Sequence, residues 1–371
     1  RSVYAADMDG DITISGNIGA SDGSGTVTAE GVRGTLTLGN AETALLTLGG
    51  TVYNTNTATY TSASGGDKIK LTGQDPVFTA SDAAITFAGG NVLIDTSGSA
   101  TSPSTLTVNN SGSGITFAAI NGTDADIIVL NAGTDSDGTA AKVTVGAITA
   151  GTPEIKSVTI TGNDGVTLNG NISTSDDSGA AVSITGPITL GGDITIDTNV
   201  NTNDGTITLG TVDSTDNGQA LTIDSGAGNV SIGVIGGTAQ LDGLTINTAG
   251  AAGDDGDITL AGIGDGTPTY GVVGTVDVGN SRTELLKFTG TSYDIDTGTA
   301  TFEAKAGAGT IEIDNASAVE FITDGTNITF DTGSIKLSGG SSTKITTGTG
   351  AGAVQIDGAI DSNTSTAENL T

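Results

Sequence analysis

The chain has 371 residues, with 42 acidic and 11 basic side chains and a formal net charge of −31. This balance excludes a nucleic-acid partner, which needs clustered Lys and Arg, and it disfavours an anionic membrane surface. Cysteine and histidine are absent, which excludes disulfides, thiolate metal sites and nucleophile–histidine pairs. No stretch approaches the roughly 18 apolar residues of a transmembrane helix, so we expect no membrane insertion.

Short runs with a period of two residues predict β-strands along the whole chain. In nearly every run, Thr or a charged residue alternates with an aliphatic one, as in a strand with one buried and one solvated face. Clusters of Gly, Asp, Asn and Ser separate the runs and are typical of turns. In chain order, clear runs lie at 11–14, 25–28, 35–38, 84–87, 105–108, 127–130, 142–145, 157–160, 165–168, 309–313, 328–330, 334–337 and 353–356.

Residues 182–264 repeat one short phrase, a β-branched run followed by Gly, Asp or Asn. Each run is too short to bury a face alone, so such units become stable only by stacking on copies of themselves. The eight copies lie at 183–185, 187–190, 193–196, 206–209, 221–223, 230–232, 244–246 and 257–260.

The pattern predicts an all-β fold, a parallel β-helix (β-solenoid) with essentially no helix. The best helical segments, 41–47 and 282–287, are short and flanked by strand signals. A parallel sheet of βαβ units needs long crossover helices, so that fold is excluded. Tandem β-sandwiches are the alternative, but the strands are short and aromatic residues make up only 3% of the chain, unlike most sandwich cores. With roughly 20–30 residues per turn, we expect about 12–18 turns.

We expect one continuous solenoid over residues 1–371. The repeats are clearest in 155–265, whereas 1–150 and 266–300 have more irregular loops. The second irregular region is interpreted as an insertion, a kink or a lateral contact surface.

Two segments carry a family resemblance: 219–233 (QALTIDSGAGNVSIG) and 235–247 (IGGTAQLDGLTIN). They resemble the repeat region of filamentous-haemagglutinin-type bacterial surface proteins, and the resemblance is strong over 180–265. It implies a right-handed parallel β-helix and an exported protein, secreted or at the cell surface. Since 1–6 lack a signal-peptide core, we expect any export signal to have been removed already. The shared phrases are structural, so the resemblance implies no catalytic or cofactor-binding residues.

Calcium is the candidate ion at three Asp/Gly-rich turns, because hard oxygen ligands on flexible turns suit Ca²⁺. No cofactor is required by the sequence, and bound cations would relieve the self-repulsion of so acidic a chain. Ordinary turns are the alternative, since Asp and Gly are common turn residues. The candidate ligands are Asp7, Asp9, Asp11, Asp135, Asp137, Asp254, Asp255 and Asp257.

The aromatic residues have two interpretations. They could form sugar-stacking surfaces, or they could fill the core or make subunit contacts. The residues concerned are Tyr53, Tyr60, Phe78, Phe87, Tyr270, Phe288, Tyr293 and Phe302.

We expect no enzymatic activity. The segment 201–204 (NTND) is similar to the Asn-Thr-Asp signature of pectin-cleaving hydrolases, but the accompanying Gly-His-Gly step and Arg/Lys cluster are missing. Two carboxylates at a suitable gap can hydrolyse a glycoside, which leaves a polysaccharide-active enzyme as a remote alternative.

The sequence therefore predicts a secreted structural protein whose partner is itself. A β-helix has an unpaired strand edge at each end, and neither terminal segment has an amphipathic capping pattern. We expect the ends to stack on, or donate strands to, neighbouring copies and to form a filament, sheath or surface layer. A β-helical adhesin that binds glycans or a host surface is the alternative.

Overall fold

The computed structural model describes residues 10–19, 32–81, 83–96, 104–123, 126–134, 138–149, 155–174, 181–200, 204–247, 256–266, 270–340, 342–362 and 370–371. These residues contain 35 β-strands and no helix. The chain divides into two compact units, one formed by residues 1–177 and 183–187 and the other by residues 178–182 and 188–371.

The first unit is built from short parallel strands. They are β1 (Ile12–Ile14), β2 (Val32–Leu38), β3 (Leu46–Leu48), β4 (Val52–Thr61), β5 (Asp67–Leu71), β6 (Val77–Ala80), β7 (Ile85–Ala88), β8 (Asn91–Ile94), β9 (Thr105–Ser111), β10 (Gly114–Gly122), β11 (Asp126–Gly133), β12 (Lys142–Thr149), β13 (Ile155–Gly162), β14 (Val166–Leu168) and β15 (Ile172–Ser173). β16 (Ala181–Thr185) contains residues of both units.

The second unit continues the same pattern of short strands. They are β17 (Ile188–Leu190), β18 (Ile194–Asp197), β19 (Thr206–Leu209), β20 (Val212–Ser214), β21 (Ala220–Asp224), β22 (Val230–Ile232), β23 (Gly243–Ile246), β24 (Ile258–Leu260), β25 (Val276–Gly279), β26 (Leu285–Phe288), β27 (Ser292–Ile295), β28 (Ala300–Glu303), β29 (Thr310–Asp314), β30 (Val319–Thr323), β31 (Ile328–Asp331), β32 (Ser334–Ser338), β33 (Thr343–Thr346), β34 (Val354–Ile356) and β35 (Ala359–Ser362).

Within each unit the strands form three parallel ladders, and every turn of the chain visits them in the same order. In the second unit, ladder I contains β18, β21, β23, β25, β28, β31 and β34. Ladder II contains β19, β22, β24, β26, β29, β32 and β35. Ladder III contains β17 and β20, the single residues Ile235 and Ile263, and then β27, β30 and β33. Between the ends of a ladder, each strand therefore bonds to the strand one turn earlier and the strand one turn later.

Turn length varies while the register is kept. One turn takes 23 residues from Leu46 to Ile69 and 32 residues from Leu244 to Val276. The extra residues lie in the connections between strands, so insertions there leave the inward positions aligned. The predicted all-β parallel β-solenoid is confirmed, with about 12 turns.

Aliphatic columns form the core because alternate strand residues point inward. One such column in the first unit contains Leu46, Ile69, Val92, Ile120, Ile148 and Ile172. Its counterpart in the second unit contains Ile194, Leu221, Leu244, Val276, Ala300 and Ile328. Every one of these residues is at most 2% exposed. Each turn thus buries its aliphatic residues against those of its neighbours, as the repeated sequence phrase predicts.

Candidate functional site

Polar side chains in the loops between strands form hydrogen bonds that link successive turns of the solenoid. Asp213 Oδ1 accepts hydrogen bonds from the backbone N–H groups of Thr238 (2.8 Å) and Ala239 (3.1 Å), one turn later. Asp193 Oδ1 likewise accepts from the Ala220 N–H at 3.0 Å. Several such bonds between described residues reach the next solenoid turn instead of the residue's own loop, which the local sequence did not predict. Much of the acidic charge in these turns is therefore used for structure.

Most of the predicted calcium ligands fall outside the described residues. This is the case for Asp7, Asp9, Asp135, Asp137, Asp254 and Asp255. The predicted strand 25–28 and the segment 201–203 also lie outside the described residues. Asp11 is described and is an exposed residue directly before β1. Asp257 is half-buried and directly precedes β24.

Asp257 shares a cavity with both acidic and basic side chains. Asp257 lines a cavity of about 380 Å³ together with Glu284, Lys305, Glu312 and Lys336. Lys305 Nζ lies 3.7 Å from a Glu284 carboxylate oxygen, so basic groups already share this cavity with the acids. In the described part of the chain, no three Asp or Glu residues lie close enough together to hold a metal ion.

Ladder I brings acidic residues of neighbouring turns close together, and the sequence did not predict these pairs. Asp197 and Asp224 are register partners, and burial, followed by the Asp224 charge, raises the pKa of Asp197. Burial, followed by the charges of Asp331 and Asp277, raises the pKa of Glu303. These acids are brought together by strand register, which no local sequence signal reveals.

The predicted aromatic residues lie in the core. Tyr53, Tyr60, Phe78, Phe87, Phe288, Tyr293 and Phe302 are each at most 1% exposed, and only Tyr270 is partly exposed. The sugar-stacking interpretation is therefore wrong for the seven buried residues. Their rings pack against one another, as in the stacked pair Tyr53–Phe78, with centroids 4.4 Å apart.

Two buried tyrosines accept the same local hydrogen bond, from the backbone N–H of a glycine three residues earlier. The Gly50 N–H donates to Tyr53 Oη at 2.7 Å, and the Gly290 N–H donates to Tyr293 Oη at 2.9 Å. Both occur in a Gly-Thr-x-Tyr sequence. Burial raises the pKa of Tyr53 to about 12, although its bond from Gly50 opposes this shift. The motif lets a phenol enter the core with its oxygen satisfied.

We call the strands of one solenoid turn a rung. The last rung of the second unit contains β34, β35 and residues 370–371, which pair with β33 on ladder III. Val354 follows Ile328 in its column, and exposure rises from 0% to 44%. Ile360 follows Ile335, and exposure rises from 1% to 47%. Within the described residues, β34 pairs only with β31, and β35 only with β32. Among the described residues, β34 and β35 therefore have open strand edges, and Val354 and Ile360 expose aliphatic side chains that belong to inward columns.

The first rung of the first unit is partly open as well. β1 pairs only with β3 among the described strands, and Ile12 and Ile14 are half-buried. Their register partners, Leu46 and Leu48, are fully buried. Among the described residues, β1 therefore also has an open strand edge.

The chain matches no protein-family model, and comparison with curated proteins and with solved structures found no significant match. No helix in the described part is long and apolar enough to span a membrane.

Proposed function

We propose that this protein is a structural protein that assembles end to end through its open rungs into an extracellular filament, sheath or surface layer. The observation that carries this proposal is the exposure of Val354 and Ile360 at positions that are buried one turn earlier. The extracellular, cell-surface setting rests on the resemblance of 219–247 to filamentous-haemagglutinin-type repeats.

A second copy is the occupant that suits the last rung. A solenoid edge is complementary to the edge of another solenoid turn, because both present parallel strands and inward aliphatic residues. β1 pairs with β3 and β34 with β31 on one side only among the described strands, so β1 of one copy can extend the ladder that ends at β34 of another. Such a head-to-tail contact does not close on itself and generates a filament.

Charge should regulate this assembly. The chain carries a net charge of −31. At the last rung, the exposed Asp357 directly follows β34 and the exposed Asp361 lies in β35. Exposed Asp11 lies beside the first rung. Repulsion between like-charged ends is screened by salt, with a Debye length of about 10 Å at 0.1 M. We therefore expect assembly to increase with ionic strength.

Two single variants test the contact. Val354→Lys and Ile360→Lys each place a charge in the proposed interface, so we expect filaments in negative-stain micrographs to disappear and sedimentation velocity to show monomers. Gln355→Lys is the matched control, since it adds the same charge at an exposed outward position between them. It should retain assembly.

The proposal fails if the unmodified chain stays monomeric at every ionic strength, or if Ile360→Lys assembles as well as Gln355→Lys. Monomers that bind defined oligosaccharides on a glycan array would instead favour the adhesin.

A further inference from the structure

The first rung of the first unit and the last rung of the second unit have the same spacing of aliphatic residues in inward columns. These residues stand at 12, 14 and 18 in the first rung, and at 354, 356 and 360 in the last. Each of them has a buried register partner in the neighbouring rung. The segments 12–18 (ITISGNI) and 354–360 (VQIDGAI) therefore align without a gap.

The corner within each segment also has the same length. Three residues with a central glycine separate Ile14 from Ile18, and three with a central glycine separate Ile356 from Ile360. In the neighbouring rungs, the register partners of these residues stand one position further apart, at 48 and 53 and at 330 and 335. Because two short corners of equal length leave no loop protruding between the rungs, both aliphatic columns can continue across a contact.

The backbone groups of β1 are arranged for a further parallel strand. The Ile12 N–H (2.8 Å) and the Ile14 carbonyl (2.7 Å) both form hydrogen bonds with the backbone of the next turn. Since alternate residues of a parallel strand bond to opposite neighbours, the N–H and carbonyl of Thr13 point to the open edge.

The open edge of β34 has the complementary arrangement. The Ala353 carbonyl (2.9 Å) and the Asp357 N–H (3.0 Å) both form hydrogen bonds with the backbone of β31. The same alternation therefore leaves the N–H and carbonyl groups of Val354 and Ile356 on the open edge. In the gap-free alignment these two residues lie on either side of the position opposite Thr13, so the two edges can form a parallel ladder.

Only one register brings all the aliphatic residues of the two segments together. When Ile12 lies opposite Val354, each of the three aliphatic residues of one segment meets an aliphatic residue of the other. A shift by two residues, the smallest that keeps the same side chains inward, leaves only one such pair in either direction. The gap-free register therefore removes the most apolar surface from water.

The same register keeps acidic residues of the two segments apart. It places Asp11 opposite Ala353 and Asp357 opposite Ser15. Like charges directly opposite each other destabilise a pair of strands, and neither of these pairs contains two charges. The remaining repulsion between the two acidic chains acts over a longer range and is screened by salt.

We propose that the end-to-end contact has a single register, in which segment 12–18 of one copy stacks residue for residue on segment 354–360 of another. This inference rests on the proposed end-to-end assembly and specifies which surfaces of the two copies meet. β1 of one copy then takes the place of the next strand after β34 of the other.

Disulfide formation between single-cysteine chains tests the register, since the chain itself contains no cysteine. The proposed register places Thr13 opposite Gln355 and Ser15 opposite Asp357, and all four residues are exposed. Opposite residues of paired strands lie about 4.8 Å apart, whereas residues offset by two lie about 8 Å apart. A disulfide spans Cα separations only up to about 7 Å.

Equal amounts of two single-cysteine chains are assembled with reductant, oxidised, and analysed on a non-reducing gel. The matched mixtures are Thr13→Cys with Gln355→Cys and Ser15→Cys with Asp357→Cys. The crossed mixtures, Thr13→Cys with Asp357→Cys and Ser15→Cys with Gln355→Cys, are the controls. We expect roughly tenfold more covalent dimer in the matched mixtures, because only these bring the cysteines within reach.

The inference is overturned if filaments form but the matched mixtures give no more dimer than the crossed ones. Dimers of Thr13→Cys alone would overturn it too, since they require a head-to-head contact. Loss of assembly in all four variants would also contradict it, because the register places these side chains outside the apolar contact. An unmodified chain that stays monomeric would instead refute end-to-end assembly itself.

Discussion

The turns of the second unit between 188 and 260 and those between 285 and 346 share one ladder geometry but differ in what fills and links them. The earlier turns contain no aromatic residue, and no Lys or Arg occurs between 157 and 281. The later turns contain a cluster of buried rings and several lysine–carboxylate pairs. The same backbone therefore tolerates two different ways of stabilising a turn.

The aliphatic turns depend on repetition. Ile196, Ile223 and Ile246 are consecutive register partners, and each is at most 1% exposed. Side chains such as Asp213 bond to the backbone of the next turn. Each contact involves only neighbouring turns, as expected for a quasi-one-dimensional protein.

The aromatic turns connect the three ladders with one another. Phe288 belongs to ladder II, Phe302 to ladder I and Phe321 to ladder III. The Phe321 ring lies 5.1 Å from that of Phe288 and 4.6 Å from that of Tyr293, measured between centroids. A single large ring therefore contacts strands of more than one ladder, whereas an isoleucine mainly contacts the neighbouring residues of its own column.

Phe321→Ala should have the largest effect. It removes a fully buried ring that contacts four others, and we expect a loss of about 3–5 kcal/mol in the free energy of unfolding. Hydrogen exchange should show reduced protection across 285–346, with little change in 188–260. Phe321→Leu keeps most of the apolar volume and should cost about 1.5 kcal/mol or less. Equal loss of protection in both regions would contradict the distinction between them.

Asp213→Ala should have an intermediate effect, confined to the aliphatic turns. It removes the acceptor of the Thr238 and Ala239 N–H groups. Since water can reach these exposed or part-buried bonds, we expect a loss of about 0.5–1.5 kcal/mol. Chemical denaturation measures this cost. Asp213→Asn keeps an acceptor oxygen and should restore most of the stability.

Asp242→Ala is the control for Asp213→Ala. Asp242 is exposed, and its side chain makes no hydrogen bond among the described residues, so its replacement should change stability by less than about 0.5 kcal/mol. Equal losses for the two alanine variants would show that the inter-turn bonds do not stabilise the solenoid.

The sequence was sufficient to predict the fold because the alternation of aliphatic and polar residues that specifies it is periodic and local. Alternation at 221–223 and 244–246 specifies which residues point inward, and stacking follows from the shortness of the runs. Contacts between turns were not predictable in the same way. Asp213 reaches Thr238, and Ser292 lies opposite Glu320, only because the intervening loop has a particular length. The register pair of Asp197 and Asp224 depends on such spacing too, so no local sequence signal revealed it.

Breaking the Lys287 ion pairs should have the smallest effect. Lys287 Nζ lies 2.6 Å from Asp314 and 3.5 Å from Glu312, and the hydrogen bond to Asp314 is the main cause that raises the Lys287 pKa. However, the side chains of Lys287 and Asp314 are 28% and 38% exposed. Solvent screening should therefore limit the coupling measured in a Lys287→Gln and Asp314→Asn double-mutant cycle to about 0.2–1 kcal/mol. The coupling should decrease in 1 M salt, where the Debye length is about 3 Å. A larger, salt-independent coupling would mean that the aromatic turns rely on ion pairs as much as on their rings.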